Sequence, residues 1–199
     1  MVKADCGGCE GCSRCCHGMG KSIILDPYDV YRMTTGMGKS MQELLAASVE
    51  FNVVDGVILP NLKMQGTEEA CAYLDEEGRC SIHPYRPGIC RLFPLGRYYE
   101  NGGFSYFLQT GECAKENRSK IKVSKWIDTP DLTRNQQFTL QWHDLLHAME
   151  ERLTGEDEGK QQEENLLLLR LFYLLPYKGT TDFYSQFMER MEYWNEQIR

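Results

Sequence analysis

Five cysteines fall between residues 6 and 16 of this chain, in the stretch CGGCEGCSRCCHG: Cys6, Cys9, Cys12, Cys15 and Cys16. Two thiolates separated by two residues can reach one metal, because the tight turn between them leaves the intervening amides free to donate to sulfur. The first four recur every third residue and form three overlapping C-x-x-C units. The adjacent pair adds a constraint. Neighbouring side chains leave an extended or turn backbone in different directions, so Cys15 and Cys16 rarely bind one small ion together. Either one is a bystander, or the pair serves two sites or two irons of one cluster.

Four more thiols follow at Cys71, Cys80, Cys90 and Cys113. A hairpin turning at Gly78 would bring Cys71 and Cys80 together, and the Pro-Gly turn in HPYRPGICR would carry Cys90 back toward them. Nine cysteines cannot all pair internally. No apolar stretch follows the lone lysine of MVKADCGG, so no secretory leader is expected and the expected compartment is the reducing cytoplasm, where structural disulfides are rare. The expected ligand set is Cys9, Cys12, Cys15, Cys16, Cys71, Cys80, Cys90 and Cys113, enough for two four-thiolate sites.

The segments CEGCSRCC and CAYLDEEGRCSIHPYRPGICRLFP together resemble the CxxCxxCC cysteine-cluster family, described as zinc- or iron-chelating and often labelled iron-sulfur oxidoreductase. Flagellin lysine N-methylases share the same cysteine-rich motif. The resemblance runs over roughly residues 9–94, with a looser fit at the GEC of Cys113. It implies metal ligation by Cys9, Cys12, Cys15, Cys16, Cys71, Cys80 and Cys90, with Arg86, Pro87 and Arg91 flanking the last. Cys6 lies outside the pattern, and His83 stands where an aromatic residue is as common.

A second register competes. Cys6, Cys9, Cys12 and Cys16 spell C-x2-C-x2-C-x3-C, the bacterial ferredoxin run, but His17 stands in place of the usual proline and no second copy shares ligands. Ligand type alone does not choose the metal, since iron-sulfur clusters and structural zinc both take four thiolates. A lone zinc would leave about half of these cysteines unused. The expected cofactor is therefore an iron-sulfur cluster, 4Fe-4S in type, with zinc as the alternative. The matching function is electron transfer or another redox role. The alternatives are a zinc-stabilised binding module without catalysis, or an enzyme or accessory factor of protein side-chain modification.

Lesser signals surround the thiols. Arg86 and Arg91 flank Cys90 and could offset the negative charge of a thiolate-bound cofactor, or pair with the acidic turn Asp75–Glu77. His17 and His83 lie close enough in sequence to replace a thiolate. In HDLLH, His143 and His147 sit one helical turn apart with Glu150 alongside, yet Asp144 stands where the zinc-protease motif needs Glu, and both histidines border an apolar stripe. TTGMGKS ends like a phosphate loop but lacks its spacing, and no dinucleotide fingerprint or nucleophile elbow is present.

The elements that must position these groups divide the 199 residues unevenly. Every cysteine precedes residue 114, and the 22 basic and 29 acidic residues balance up to residue 125, so the net charge of −7 falls in residues 126–199. No basic face is offered to nucleic acid or anionic lipid. The longest apolar run, Leu166–Leu175, contains Arg170 and is half the length a membrane span needs. An α+β fold is expected: a metal-binding region over residues 1–125 and a helical region over 126–199 packed on it.

In the first region, SIILDPYDVYRM predicts a strand running into a helix capped by Asp26, and MQELLAASVEF a helix capped by Ser40. Asp55-Gly56, Gly78 and Asn101-Gly102-Gly103 predict hairpin turns. In the second region, Thr129 is expected to cap a helix carrying Phe138, Trp142, Leu145, Leu146, Met149 and Leu153 on one stripe. A helix over about 160–175, apolar almost all round, should be sandwiched. A last helix, capped near Thr181, carries Phe183, Phe187, Met191, Trp194 and Ile198.

Overall fold

A computed structural model of the chain describes residues 1–5, 7 and 12–198. Cys6 and Cys9 lie outside the described residues, and with them the ferredoxin register. Strand β1 spans Val2–Asp5. Helix α1 (Pro27–Met37) begins at Asp26, whose carboxylate accepts the Asp29 N–H at 2.8 Å. The Asp29 carboxylate accepts the Asp26 N–H at 3.3 Å in return, so two orphan donors are satisfied reciprocally. Helix α2 (Met41–Ala47) starts with the same device, built from Ser40 and Glu43.

Strands β2 (Val49–Val54) and β3 (Val57–Leu62) form a hairpin. Its turn needs two consecutive left-handed residues, and Asp55 (φ 50°) and Gly56 (φ 82°) supply them. Strands β4 (Met64–Gln65) and β5 (Ala70–Cys71) pair briefly, and helix α3 (Gly88–Leu92) follows. Strands β6 (Leu95–Glu100) and β7 (Gly103–Leu108) turn at Asn101-Gly102. Strand β8 (Ser119–Ile121) pairs with β1, and helix α4 is Val123–Ile127. The chain ends in α5 (Leu132–Leu153), α6 (Glu158–Leu169), a π turn (Arg170–Leu174) and α7 (Phe183–Gln197). Helices with antiparallel two-stranded pairs make the fold α+β, as expected.

Several local readings shift. The strand expected before α1 is a single bridge, Ile24 to Asn61, and the hairpin expected at Gly78 is a single bridge, Leu74 to Cys80. There the Asp75 N–H donates to the Arg79 carbonyl and its carboxylate accepts the Arg79 N–H, closing a tight turn beside the bridge. Helix α5 is capped by Asp131 rather than Thr129. The Thr129 hydroxyl donates instead to the Ile127 carbonyl, so it closes α4 and cannot open the next helix. The run Leu166–Leu175 is only partly sandwiched: Leu168 is fully buried, whereas Leu166 is 58% exposed.

The main core joins α1, α2 and the β2–β3 hairpin to α5, the π turn and α7. Tyr28 and Phe183 rings lie 5.0 Å apart, and the buried Tyr173 hydroxyl donates to the Leu25 carbonyl at 3.0 Å. Asn165 of α6 holds the hairpin turn from both sides: its Oδ1 accepts the Ile58 N–H at 2.6 Å and its Nδ2 donates to the Gly56 carbonyl at 3.1 Å. A second, smaller cluster gathers Leu92, Leu95 and Ile127 against Val2, Tyr106 and Trp126. Among the described residues no helix is long and apolar enough to cross a membrane.

Candidate metal centre

A cavity of about 280 Å³ opens between these two apolar clusters, with Ile23, Leu62 and Ile82 on the side of the main core and Leu95 and Trp126 on the other. Six thiols line it: Cys12, Cys15, Cys16, Cys71, Cys80 and Cys90. Four separate stretches of backbone deliver them. Cys15 and Cys16 sit on a short 3₁₀ turn, Arg14–Cys16. Cys71 ends β5, Cys80 stands at the bridge to Leu74, and Cys90 occupies the middle of α3.

Helix α1 runs along the stretch that carries Cys90. Gly36 lies against Tyr85 so closely that a Cβ there would meet the ring at 2.3 Å. One turn earlier, the Arg32 guanidinium donates to the Pro84 carbonyl. One turn earlier again, Asp29 accepts the Gly88 N–H at 2.7 Å and faces Arg91 at 3.9 Å. No sequence pattern announced this packing, because the contacts join residues 49 to 62 positions apart.

The sulfurs feel one another. The neighbouring Cys16 thiol, with help from the Arg86 charge, holds the Cys15 thiol down to about 6 against the effect of burial. Cys15 in turn, with burial and the charges of Cys71 and Cys80, pushes Cys16 well up. Burial raises Cys71, Cys80 and Cys90, and neighbouring thiolates add to each shift. Thiols that resist joint ionisation in this way are what a bound cation relieves, since ligation needs thiolates and pairs their charge with the metal.

The flanking residues separate into two groups. Arg86 lines the cavity with no ion pair among the described residues, and its charge favours the thiolates of Cys15 and Cys80. Arg91 is buried at 4% exposure, pairs with Asp29, and donates to the Arg86 carbonyl at 3.1 Å. Neither pairs with Asp75–Glu77. His83 lines the cavity, and burial with the charges of Arg86 and Arg79 lowers its pKa. His17 faces elsewhere, toward Ser13 and the Glu68 carbonyl. Cys113 lines a smaller adjoining pocket with Cys12 and Cys15. His143 stacks on Tyr99 at 3.7 Å, and His147 faces Glu151.

The donor set fits a soft, thiolate-seeking cofactor: sulfur throughout, with a guanidinium beside it. Among the described residues no three Cys, His, Asp or Glu side chains converge on a single point as a closed one-ion shell would require. The thiols stand around a space instead.

The CxxCxxCC family, described as "Putative zinc- or iron-chelating domain", matches residues 8–117. That stretch takes in every thiol of the cavity, together with Arg86 and Arg91. No curated protein and no solved structure matches the chain.

Proposed function

Because the chain belongs to the CxxCxxCC family, we propose that it holds an iron-sulfur cluster at the thiol-lined cavity and works in electron transfer or another redox step. One observation carries the choice of cluster over single zinc: six described thiols from four stretches line one cavity of about 280 Å³, more than the four that a zinc takes. A cofactor several ångströms across suits that spread; a tetrahedral zinc needs only four sulfurs near ~2.3 Å. When bound, such a cluster accepts and releases single electrons at a potential set by its surroundings.

The chain's own residues supply those surroundings. Cys12, Cys15, Cys16, Cys71, Cys80 and Cys90 are the candidate ligands in the cavity; Cys113 adjoins it, and Cys9 precedes the described stretch. Arg86 offsets the negative charge of the thiolates. Ile23, Leu62, Ile82 and Trp126 limit water at the sulfurs, which favours the less charged state of the centre. Iron, zinc and acid-labile sulfide assayed on anaerobically purified protein, with its visible spectrum, test the reading. Brown protein with matched iron and sulfide is expected. Colourless protein filled with one or two zinc ions would overturn the redox role and leave a binding module.

A further inference from the structure

Asp29 sits at the buried end of α1, 2% exposed, and spends its carboxylate on α3. Its Oδ1 accepts the Gly88 N–H at 2.7 Å, and the Arg91 guanidinium lies 3.9 Å away. Arg91 in turn donates through Nη1 to the Arg86 carbonyl at 3.1 Å. One carboxylate therefore ties down the residues two before and one after Cys90, and through Arg91 it reaches the residue four before. The capping box accounts for only the other oxygen, Oδ2, which takes the Asp26 N–H.

We infer that Asp29 is a positioning residue for the sulfur centre, fixing the direction in which Cys90 presents its thiol. The inference rests on the cavity being a metal centre. Helix α3 is five residues long and makes too few internal hydrogen bonds to hold its own orientation. Its Pro87 N-cap offers no side-chain acceptor, so the Gly88 N–H depends on Asp29 from another helix. Loss of Asp29 would free Gly88 and leave the buried Arg91 without its counter-charge. The Cys90 sulfur would then swing off the centre while the thiols on the other three stretches stayed in place.

The test uses iron-loaded protein, or cobalt-loaded protein if the native metal is colourless. Asp29→Ala is expected to keep its metal, lose about a quarter of the sulfur-to-metal charge-transfer absorption per metal if one of four thiolates leaves, and expose Cys90 to iodoacetamide. Asp29→Asn keeps an oxygen acceptor for Gly88 but not the charge facing Arg91, and is expected to lose clearly less absorption and expose Cys90 less than Asp29→Ala. Lower melting temperatures in both variants with unchanged absorption per metal and a protected Cys90 would reduce Asp29 to a structural group and overturn the proposal. A wild-type protein that takes up neither metal would overturn the sulfur-centre reading itself, and this proposal with it, before any variant is made.

Discussion

Cys15 and Cys16 stand side by side at the end of one short turn, and each thiol pushes the other's titration in the opposite direction, Cys15 down and Cys16 up. The 3₁₀ turn Arg14–Cys16 brings the two side chains together where an extended backbone would part them. In metal-free protein, Cys15 should react with iodoacetamide as a thiolate with a midpoint near pH 6, at the value of about 6 to which the pair holds it. Cys16→Ala removes that neighbour, and the midpoint should climb toward the ordinary thiol value near ~8.5. An unchanged profile would mean that Cys16 does not hold Cys15 down.

Cys80 and Cys113 should separate in function. Cys80 faces the main cavity, and Cys113 only the adjoining pocket. Cys80→Ser is expected to lose most bound metal and the stability coupled to it. Cys113→Ser should retain most of both. Equal losses, by metal assay and thermal melting, would place Cys113 in the same centre.

Gly36 gives a prediction whose sign opposes propensity. In an exposed helix interior, glycine to alanine stabilises by about 1 kcal/mol. Here the new Cβ would meet the Tyr85 ring at 2.3 Å, close to the ring's attachment point as well as its edge. Overpacking of this kind costs about 1–3 kcal/mol. Gly36→Ala should therefore lower the unfolding free energy measured by chemical denaturation by roughly 1 kcal/mol net, and a gain would show that the 83–85 turn yields freely.

Asn165 should be costly to remove. Its amide is the partner of Ile58 N–H and Gly56 carbonyl at the tip of the β2–β3 hairpin. Asn165→Leu leaves the part-buried Ile58 N–H and the Gly56 carbonyl of the exposed turn without this partner, at about 1 kcal/mol by chemical denaturation.

Asp26 supplies a pH test. Burial, then the charge of Asp29, pushes its carboxyl up to about 7. The unfolded chain gives up that proton near ~4, so the folded state binds more protons between the two values. This group's contribution is present in full below ~4 and is lost as pH rises through about 7. Asp26→Asn, which keeps an acceptor for the Asp29 N–H, should flatten the fall in melting temperature between pH 4 and 8. On a half-buried group the effect is on the order of 1 kcal/mol. A parallel pair of curves would exclude it.

What the sequence revealed was local chemistry. The caps at Asp26 and Ser40 and the turns at Asp55-Gly56 and Asn101-Gly102 are set by residues within four positions of each other, and the structure has them all. The pairing of β1 with β8 was not legible, because it joins two short polar stretches more than a hundred residues apart. Thr129 and Asp131 both suit a helix cap, and only the fold of α4 decides between them. Cys71, Cys80 and Cys90 do line one cavity, as expected, but the hairpin expected at Gly78 is a single bridge and Pro87-Gly88 opens α3. The contacts of Gly36, Arg32 and Asp29 with residues 84–91 were not legible, since nothing in PYDVYRMTTG distinguishes an ordinary amphipathic helix from one that braces a distant loop.

The delivery of six thiols by four stretches of chain has a topological consequence. A cofactor joining Cys16 to Cys71 would close a long loop as a cross-link does, and loops of that length lose about 4 kcal/mol of unfolded-chain freedom on closure. Cys80 and Cys90 would add shorter rings to the same knot of ligands. The loaded chain would then unfold only after the centre lets go, so its lifetime would be governed by ligand exchange at sulfur rather than by the hydrophobic core.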